Sequence, residues 1–164
     1  MHKKSNISVK LLKKIIVVYQ GEVHGEALFA RLASQSISIR NREKWQLITQ
    51  VEQKMQVELR DWLISIGKPV VPDLGIQREA EQEANEVSQK TWAEAMQWLL
   101  DLSQPYVKEY EEMSQHKSCL TDIRLHLILK RLAIHEKALF LYASGELSGD
   151  SNEAEKIVKS LLSG

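Results

Sequence analysis

Apolar side chains recur every three or four positions along four long stretches of the chain, which is the periodicity of amphipathic α-helices. These stretches are residues 8–36, 43–66, 91–110 and 120–147. A shorter amphipathic stretch, residues 153–162, follows a turn-rich segment. The pattern predicts an all-α protein with four long helices and a short fifth helix at the C-terminal end.

The links between the predicted helices set their directions. Residues 35–42 form a short polar connection, so the second helix is expected to return antiparallel to the first. In the next link, Pro69 and Pro72 favour an extended path, and residues 78–86 are polar and acidic with no clear apolar stripe. We therefore predict a crossover through residues 68–86 that leads to the third helix. Pro105 is predicted to kink or interrupt that helix, because proline removes a backbone donor and crowds the preceding turn.

The composition fits a single domain spanning residues 1–164, since this length allows one sizeable core. Lys plus Arg and Asp plus Glu both number 22, and the resulting zero net charge argues against nucleic-acid binding. Cys119 is the single cysteine, which fits a reducing compartment. The apolar run at residues 15–19 is too short for a secretory signal or a membrane span. We expect a cytoplasmic protein without a membrane segment.

Three glutamates fall on apolar helix faces, where a carboxylate is costly to bury unless it is paired, protonated or bound to a cation. Glu26 lies in the core stripe of the first helix, with Glu22 on its flank. Glu52 and Glu136 lie in the stripes of the second and fourth helices. Glu26 and Glu52 are each about 13 residues from the centre of the intervening connection. At about 1.5 Å rise per residue, they are expected to face one another at the same depth.

The first helix carries a second apolar stripe in addition to the one that contains Glu26. Its members are Leu11, Val18, Gly25, Phe29 and Leu32. Two interpretations stay open. Either the C-terminal tail covers this stripe, or the stripe forms a homodimer interface at which Gly21 and Gly25 allow the two backbones to approach closely.

The segments around the glutamates resemble the ferritin-like superfamily, particularly its rubrerythrin branch. They are GEVHGEALFARLA in the first helix, VEQKM in the second and HEKALFLYASGE in the fourth. The resemblance covers residues 17–146 and implies an antiparallel four-helix bundle with a crossover between the second and third helices. It also implies a carboxylate site for iron or another divalent metal. The implied ligands are Glu26 or Glu22, Glu52 and Glu136, with His135 as a further donor.

The chain departs from the Glu-x-x-His ligand motif of that superfamily. Met55 and Leu139 stand where the two histidines are expected, and Met96 or Leu99 stands in the place of the third helix's glutamate. Two hypotheses stay open. A reduced site that holds one divalent ion predicts a ferritin-like metalloprotein of unknown substrate. A metal-free cluster of protonated acids, hydrogen-bonded to tyrosines or tryptophans, predicts a non-catalytic bundle that acts through dimerisation or binding of a partner protein.

A third hypothesis is a pocket for a small apolar molecule between the second and third helices. Its expected lining residues are Met55, Met96, Trp92 and Tyr106.

Overall fold

The computed structural model describes residues 7–150 and 152–163, and within these ranges the chain forms seven α-helices and no strand. The helices are α1 (Val9–Gln35), α2 (Ile39–Ser65), α3 (Leu74–Val87), α4 (Trp92–Ser114), α5 (Lys117–Leu120), α6 (Ile123–Ser148) and α7 (Asn152–Ser160). The predicted all-α class is confirmed. Helices α1, α2, α4 and α6 correspond to the four predicted long helices, and α7 corresponds to the short C-terminal one.

Local side-chain and backbone chemistry sets the ends of the long helices. The Ser38 hydroxyl accepts a hydrogen bond from the backbone N–H of Asn41, so α2 begins at Ile39, ahead of the predicted residue 43. The Asp122 carboxylate caps α6 in the same way. Helix α6 ends at Ser148, close to the predicted residue 147. It is followed by Gly149, whose φ of +83° is a conformation that glycine adopts readily.

The predicted crossover contains a helix, α3, that the prediction missed. The Asp73 carboxylate caps it, and the buried residues Ala80, Ala84 and Val87 form its packed face. Helix α3 lies against α1. Together with Ile76, these residues recur every three or four positions, so the expectation that residues 78–86 carry no clear apolar stripe is wrong.

Helix α4 continues through Pro105. The predicted interruption of the helix at this residue is therefore wrong. Proline at this position removes one backbone hydrogen bond. Pro105 is exposed, so its ring faces solvent and does not disturb the core.

Polar contacts near the helix ends give the directions of the long helices. The Trp62 indole N–H donates to Asp122 at 3.0 Å, where α2 ends and α6 begins. Lys44 and Glu146 form an ion pair of 2.5 Å at the opposite ends of these helices, so α2 and α6 are antiparallel. The Trp92 indole N–H donates to Glu146 at 3.0 Å, which makes α4 and α6 antiparallel as well. Helices α2 and α4 therefore run in the same direction.

The long helices form two helical hairpins. Helix α1 pairs with α2 across the short link at residues 36–38, and α3 covers part of α1. Helix α4 pairs with α6, and α7 packs on α6 and α2. Contacts between α2 and α6 join the hairpins, while α1 and α4 face each other across a cavity. The shared direction of α2 and α4 explains why residues 66–91 must run back along the molecule.

The hydrophobic core has two large halves, and a smaller cluster of Val51, Ala138 and Val158 joins α7 to α2 and α6. One half contains Tyr19, Trp62 and Leu129, and the other contains Phe29 and Met96. Between the two halves lies a layer of buried ionisable side chains, which is the candidate site described below.

The second apolar stripe of α1 is covered within the chain. Leu11, Val18, Phe29 and Leu32 are all buried. Helix α7 packs on α6 and α2, so the interpretation that the C-terminal tail covers this stripe is wrong. The homodimer interface was suggested by this stripe, which is already buried within the chain. It stays a prediction.

Candidate metal centre

The buried layer consists of four ionisable side chains from three helices. Glu22 comes from α1, Glu52 from α2, and the consecutive His135 and Glu136 from α6. Their exposed fractions are 2 %, 4 %, 0 % and 8 %. The structure thus brings together four of the five candidate ligands, with Glu22 in the position that the sequence assigned to Glu26.

Glu52 contacts His135 directly, and the other three side chains have the spacing of a candidate metal site. His135 Nε2 is 2.9 Å from Glu52 Oε1, a hydrogen bond, and 3.9 Å from Glu22 Oε2. One donor atom each of Glu22, His135 and Glu136 can be chosen so that all three lie within 4.8 Å of one another. A single ion placed among them would have donors on several sides.

Gly25 allows the Glu52 side chain to reach this layer. A Cβ atom at position 25 would overlap the Glu52 carboxylate. Glu52 therefore occupies the space next to α1 that a side chain at Gly25 would fill. The close approach predicted for Gly25 is real, but its partner is a carboxylate of the same chain.

Burial raises the pKa of all three carboxyl groups in the layer. For Glu22, the negative charge of Glu52 and a hydrogen bond to Glu52 raise the pKa further, while His135 lowers it. Burial raises the pKa of Glu52 to about 7, although the hydrogen bond from Glu22 lowers it. For Glu136, burial is again the main cause, His135 lowers the pKa, and the other two carboxylates raise it. Burial therefore favours the protonated forms of these carboxyl groups when no cation is bound.

Two buried polar atoms of the layer, Glu22 Oε2 and His135 Nδ1, have no hydrogen-bond partner in the described part of the chain. An unsatisfied buried polar atom costs roughly 1–3 kcal/mol. Glu22 also lines the cavity between α1 and α4. Its free oxygen is therefore placed to bind a cation that arrives through that cavity.

Glu26 lies outside the buried layer. It is half-buried, and its Oε2 accepts a hydrogen bond of 2.6 Å from the side-chain amide of Gln56. The expectation that Glu26 is in the core and Glu22 on the flank is therefore wrong. The sequence signal that was missed is Gly25, because a glycine on the inner face of a helix indicates that another group approaches closely.

The departures from the Glu-x-x-His motif hold in the structure. Met55 and Leu139 are buried in the core. On α4, Leu99 is buried and the hydroxyl of Ser103 donates to the carbonyl of Leu100 at 3.2 Å. Helix α4 therefore brings no carboxylate to the layer.

Of the aromatic groups expected to hydrogen-bond a metal-free cluster, two tryptophans and Tyr19 do not bond to it. The indole N–H groups of Trp62 and Trp92 donate to Asp122 and Glu146. Among the described residues, the Tyr19 hydroxyl has no hydrogen-bond partner.

A cavity of about 380 Å³ lies between α1 and α4 and reaches the buried layer. Its lining includes Glu22, Glu52 and Glu136, together with Tyr106 and Tyr110. The predicted pocket between the second and third helices is not formed as expected. Of its four residues, the two methionines are buried in the core, Tyr106 lines this cavity, and Trp92 lines a separate one.

Comparison of the chain with protein-family models, with curated proteins and with solved structures finds no match. Over residues 7–150 and 152–163, no helix combines the length and the apolar character that crossing a bilayer requires.

Proposed function

We propose that the chain is a ferritin-like helical bundle that binds one divalent metal ion through Glu22, Glu52, Glu136 and His135. The observation that carries this proposal is the buried set of three carboxyl groups and an imidazole, in which Glu22 Oε2 has no hydrogen-bond partner among the described residues. A cation would satisfy that oxygen and would compensate the charge of carboxyl groups whose protonated forms burial otherwise favours.

The order and directions of the long helices support the ferritin-like assignment. Helices α1 and α2 form one hairpin, α4 and α6 form the other, and a long connection joins α2 to α4, which runs in the same direction. A bundle with one long crossover of this kind is the arrangement of ferritin-like folds. In those folds, metal ligands project inward from facing helices, as do Glu22, Glu52 and Glu136 here.

The donor set suits a divalent ion such as Fe²⁺, Mn²⁺ or Zn²⁺, which accept carboxylate and imidazole ligands together. Opposite ligands of an ion that binds oxygen at about 2.1 Å lie roughly 4.2 Å apart. The donor atoms of Glu22, His135 and Glu136 lie within 4.8 Å of one another, so small side-chain adjustments would complete the site. Zn²⁺ is expected to bind more tightly than Mn²⁺ in vitro, following the general order of divalent affinities.

A single ion fits this chain better than a pair. A di-metal centre of the ferritin-like kind takes a Glu from each of two helices and a Glu-x-x-His motif from each of the other two. Met55, Leu139 and Leu99 occupy the corresponding positions, and none of them is a suitable ligand for a hard cation.

The direct test is the metal content of protein purified without chelators, followed by equilibrium titration with Mn²⁺, Zn²⁺ and anaerobic Fe²⁺. Wild type should bind one ion per chain, and Glu136→Gln should weaken binding by about 100-fold or more, because even outer-shell partners of a metal contribute about 10- to 100-fold. Glu26→Gln is the matched control. It removes a carboxylate from α1 that lies outside the layer, so it should leave the affinity nearly unchanged.

The contrary result is metal-free protein whose melting temperature does not respond to any of the three ions. The buried layer would then be a protonated structural cluster, held by the bond between His135 and Glu52. The non-catalytic bundle would be the remaining hypothesis. Equal losses of affinity in Glu26→Gln and Glu136→Gln would instead show that the ligands are assigned wrongly.

A further inference from the structure

The cavity between α1 and α4 connects the surface to the buried layer. Gly21 on α1 and Tyr106 and Glu109 on α4 are exposed lining residues and form its mouth. Glu22 and Glu136 are buried lining residues and form its inner end. We propose that this cavity is the route by which the divalent ion reaches the site, and that Gly21 keeps the mouth open. The inference rests on the proposed metal site and concerns the rate of binding.

Gly21 has no packing reason to be a glycine. It lies in the middle of α1, where glycine weakens a helix relative to alanine. No heavy atom of its surroundings lies within 4 Å of the place a Cβ would occupy. A larger side chain at this position would therefore extend into open space at the mouth and leave the core undisturbed.

The charge of the lining suits the passage of a cation. Five carboxyl groups line the cavity, and no lysine or arginine among the described residues does so. One of the five, Glu83, is paired with the lining residue His24 at 3.0 Å. The lining carboxyl groups are those of Glu22, Glu52, Glu83, Glu109 and Glu136. Glu109 is exposed at the mouth, and a carboxylate at the entrance of a cleft attracts cations and raises their association rate.

Glu22 supplies an independent indication that the cavity receives a ligand. The side chain is 2 % exposed, lines the cavity, and has an oxygen without a hydrogen-bond partner among the described residues. Because the helices bury Glu22, an ion can reach its unpaired oxygen only through the cavity that Glu22 lines.

The test compares Gly21→Leu with Gly21→Ala. Both variants gain helix propensity, but only leucine is large enough to fill the mouth. Association is followed by rapid mixing with Mn²⁺ and loss of the free-ion EPR signal, and dissociation by transfer of bound Mn²⁺ to excess EDTA. Gly21→Leu should slow both rates by about tenfold or more, because binding then requires movement of the obstructing side chain. The equilibrium Kd should not change, since the ligands are untouched, and Gly21→Ala should load at nearly the wild-type rate.

A second comparison isolates the charge at the mouth. Glu109→Gln should slow Mn²⁺ association about two- to threefold at low ionic strength, the effect expected of one charge near the path. Glu111→Gln is the control, because it removes the same charge from an exposed position of α4 that does not line this cavity. The difference between the two variants should disappear at high salt.

The two proposals fail in different ways. If wild type binds no Mn²⁺ at equilibrium, the proposed function is wrong and the route is wrong with it. If wild type binds Mn²⁺ but Gly21→Leu and Gly21→Ala load at the same rate, only the route is wrong. A raised Kd in Gly21→Leu, caused by faster dissociation, would show that leucine disturbs the site and would also overturn the route.

Discussion

The buried carboxyl groups predict an unusual pH dependence for the metal-free protein. Burial raises the pKa of Glu52 from 4.5 to about 7, a difference that corresponds to about 3 kcal/mol. Because the folded protein holds this proton more tightly than the unfolded chain, its contribution to stability is fully present below pH 4.5. It is lost as the pH rises through about 7. Glu22 and Glu136 act in the same direction, since burial raises the pKa of both.

The assay is urea denaturation of wild type and Glu52→Gln in EDTA, from acid to slightly alkaline pH. Glutamine fills the same space but cannot ionise. Groups outside the layer therefore contribute equally to both proteins, whereas Glu22 and Glu136 lose the charge of Glu52 that raises their pKa, which adds to the difference. The free energy of unfolding of wild type should fall relative to the variant by about 3 kcal/mol across the range. A difference that stays constant, or that grows in favour of wild type at high pH, would show that Glu52 ionises in the folded protein without penalty. The electrostatic description of the layer would then be wrong.

Three further predictions follow from individual contacts. Gly25→Ala should greatly weaken Mn²⁺ binding in a folded protein, because its methyl group would displace the Glu52 carboxylate; unchanged affinity by calorimetry would contradict this fit. Asp122→Ala should lower the free energy of unfolding in urea by about 1–2 kcal/mol, since α6 loses its cap and Trp62 its acceptor. Val158→Ala should lower it by about 1–2 kcal/mol without changing Mn²⁺ affinity; a coupled loss of affinity would place α7 in contact with the site.

The long helices could be predicted because packing dictates their sequence pattern. Each has one side in the core, so apolar residues must return every three or four positions. Helix α3 has the same period in Ile76, Ala80, Ala84 and Val87, so the pattern could have predicted it as well. The effect of Pro105 could not be predicted from the pattern, because it depends on whether the ring faces solvent or a neighbouring helix.

The identity of the α1 ligand depends on tertiary packing. Residues 22 and 26 differ by only about 40° around a helix axis, so both fall on the same side of α1 in any sequence pattern. Which of them is buried depends on how α1 is rotated against α2. Gly25 settles that rotation, because it receives the Glu52 carboxylate and thereby places Glu22 beside His135.

The division of the four donors between the two hairpins has a mechanical consequence. Glu22 and Glu52 belong to the α1–α2 hairpin, whereas His135 and Glu136 belong to the α4–α6 hairpin. An ion held by all four would tie the two hairpins together, as a crosslink does. By linkage, each tenfold rise in the free-ion concentration above the Kd would then raise the free energy of unfolding by about 1.4 kcal/mol. The two hairpins would therefore be held together more firmly as the concentration of free metal ion rises.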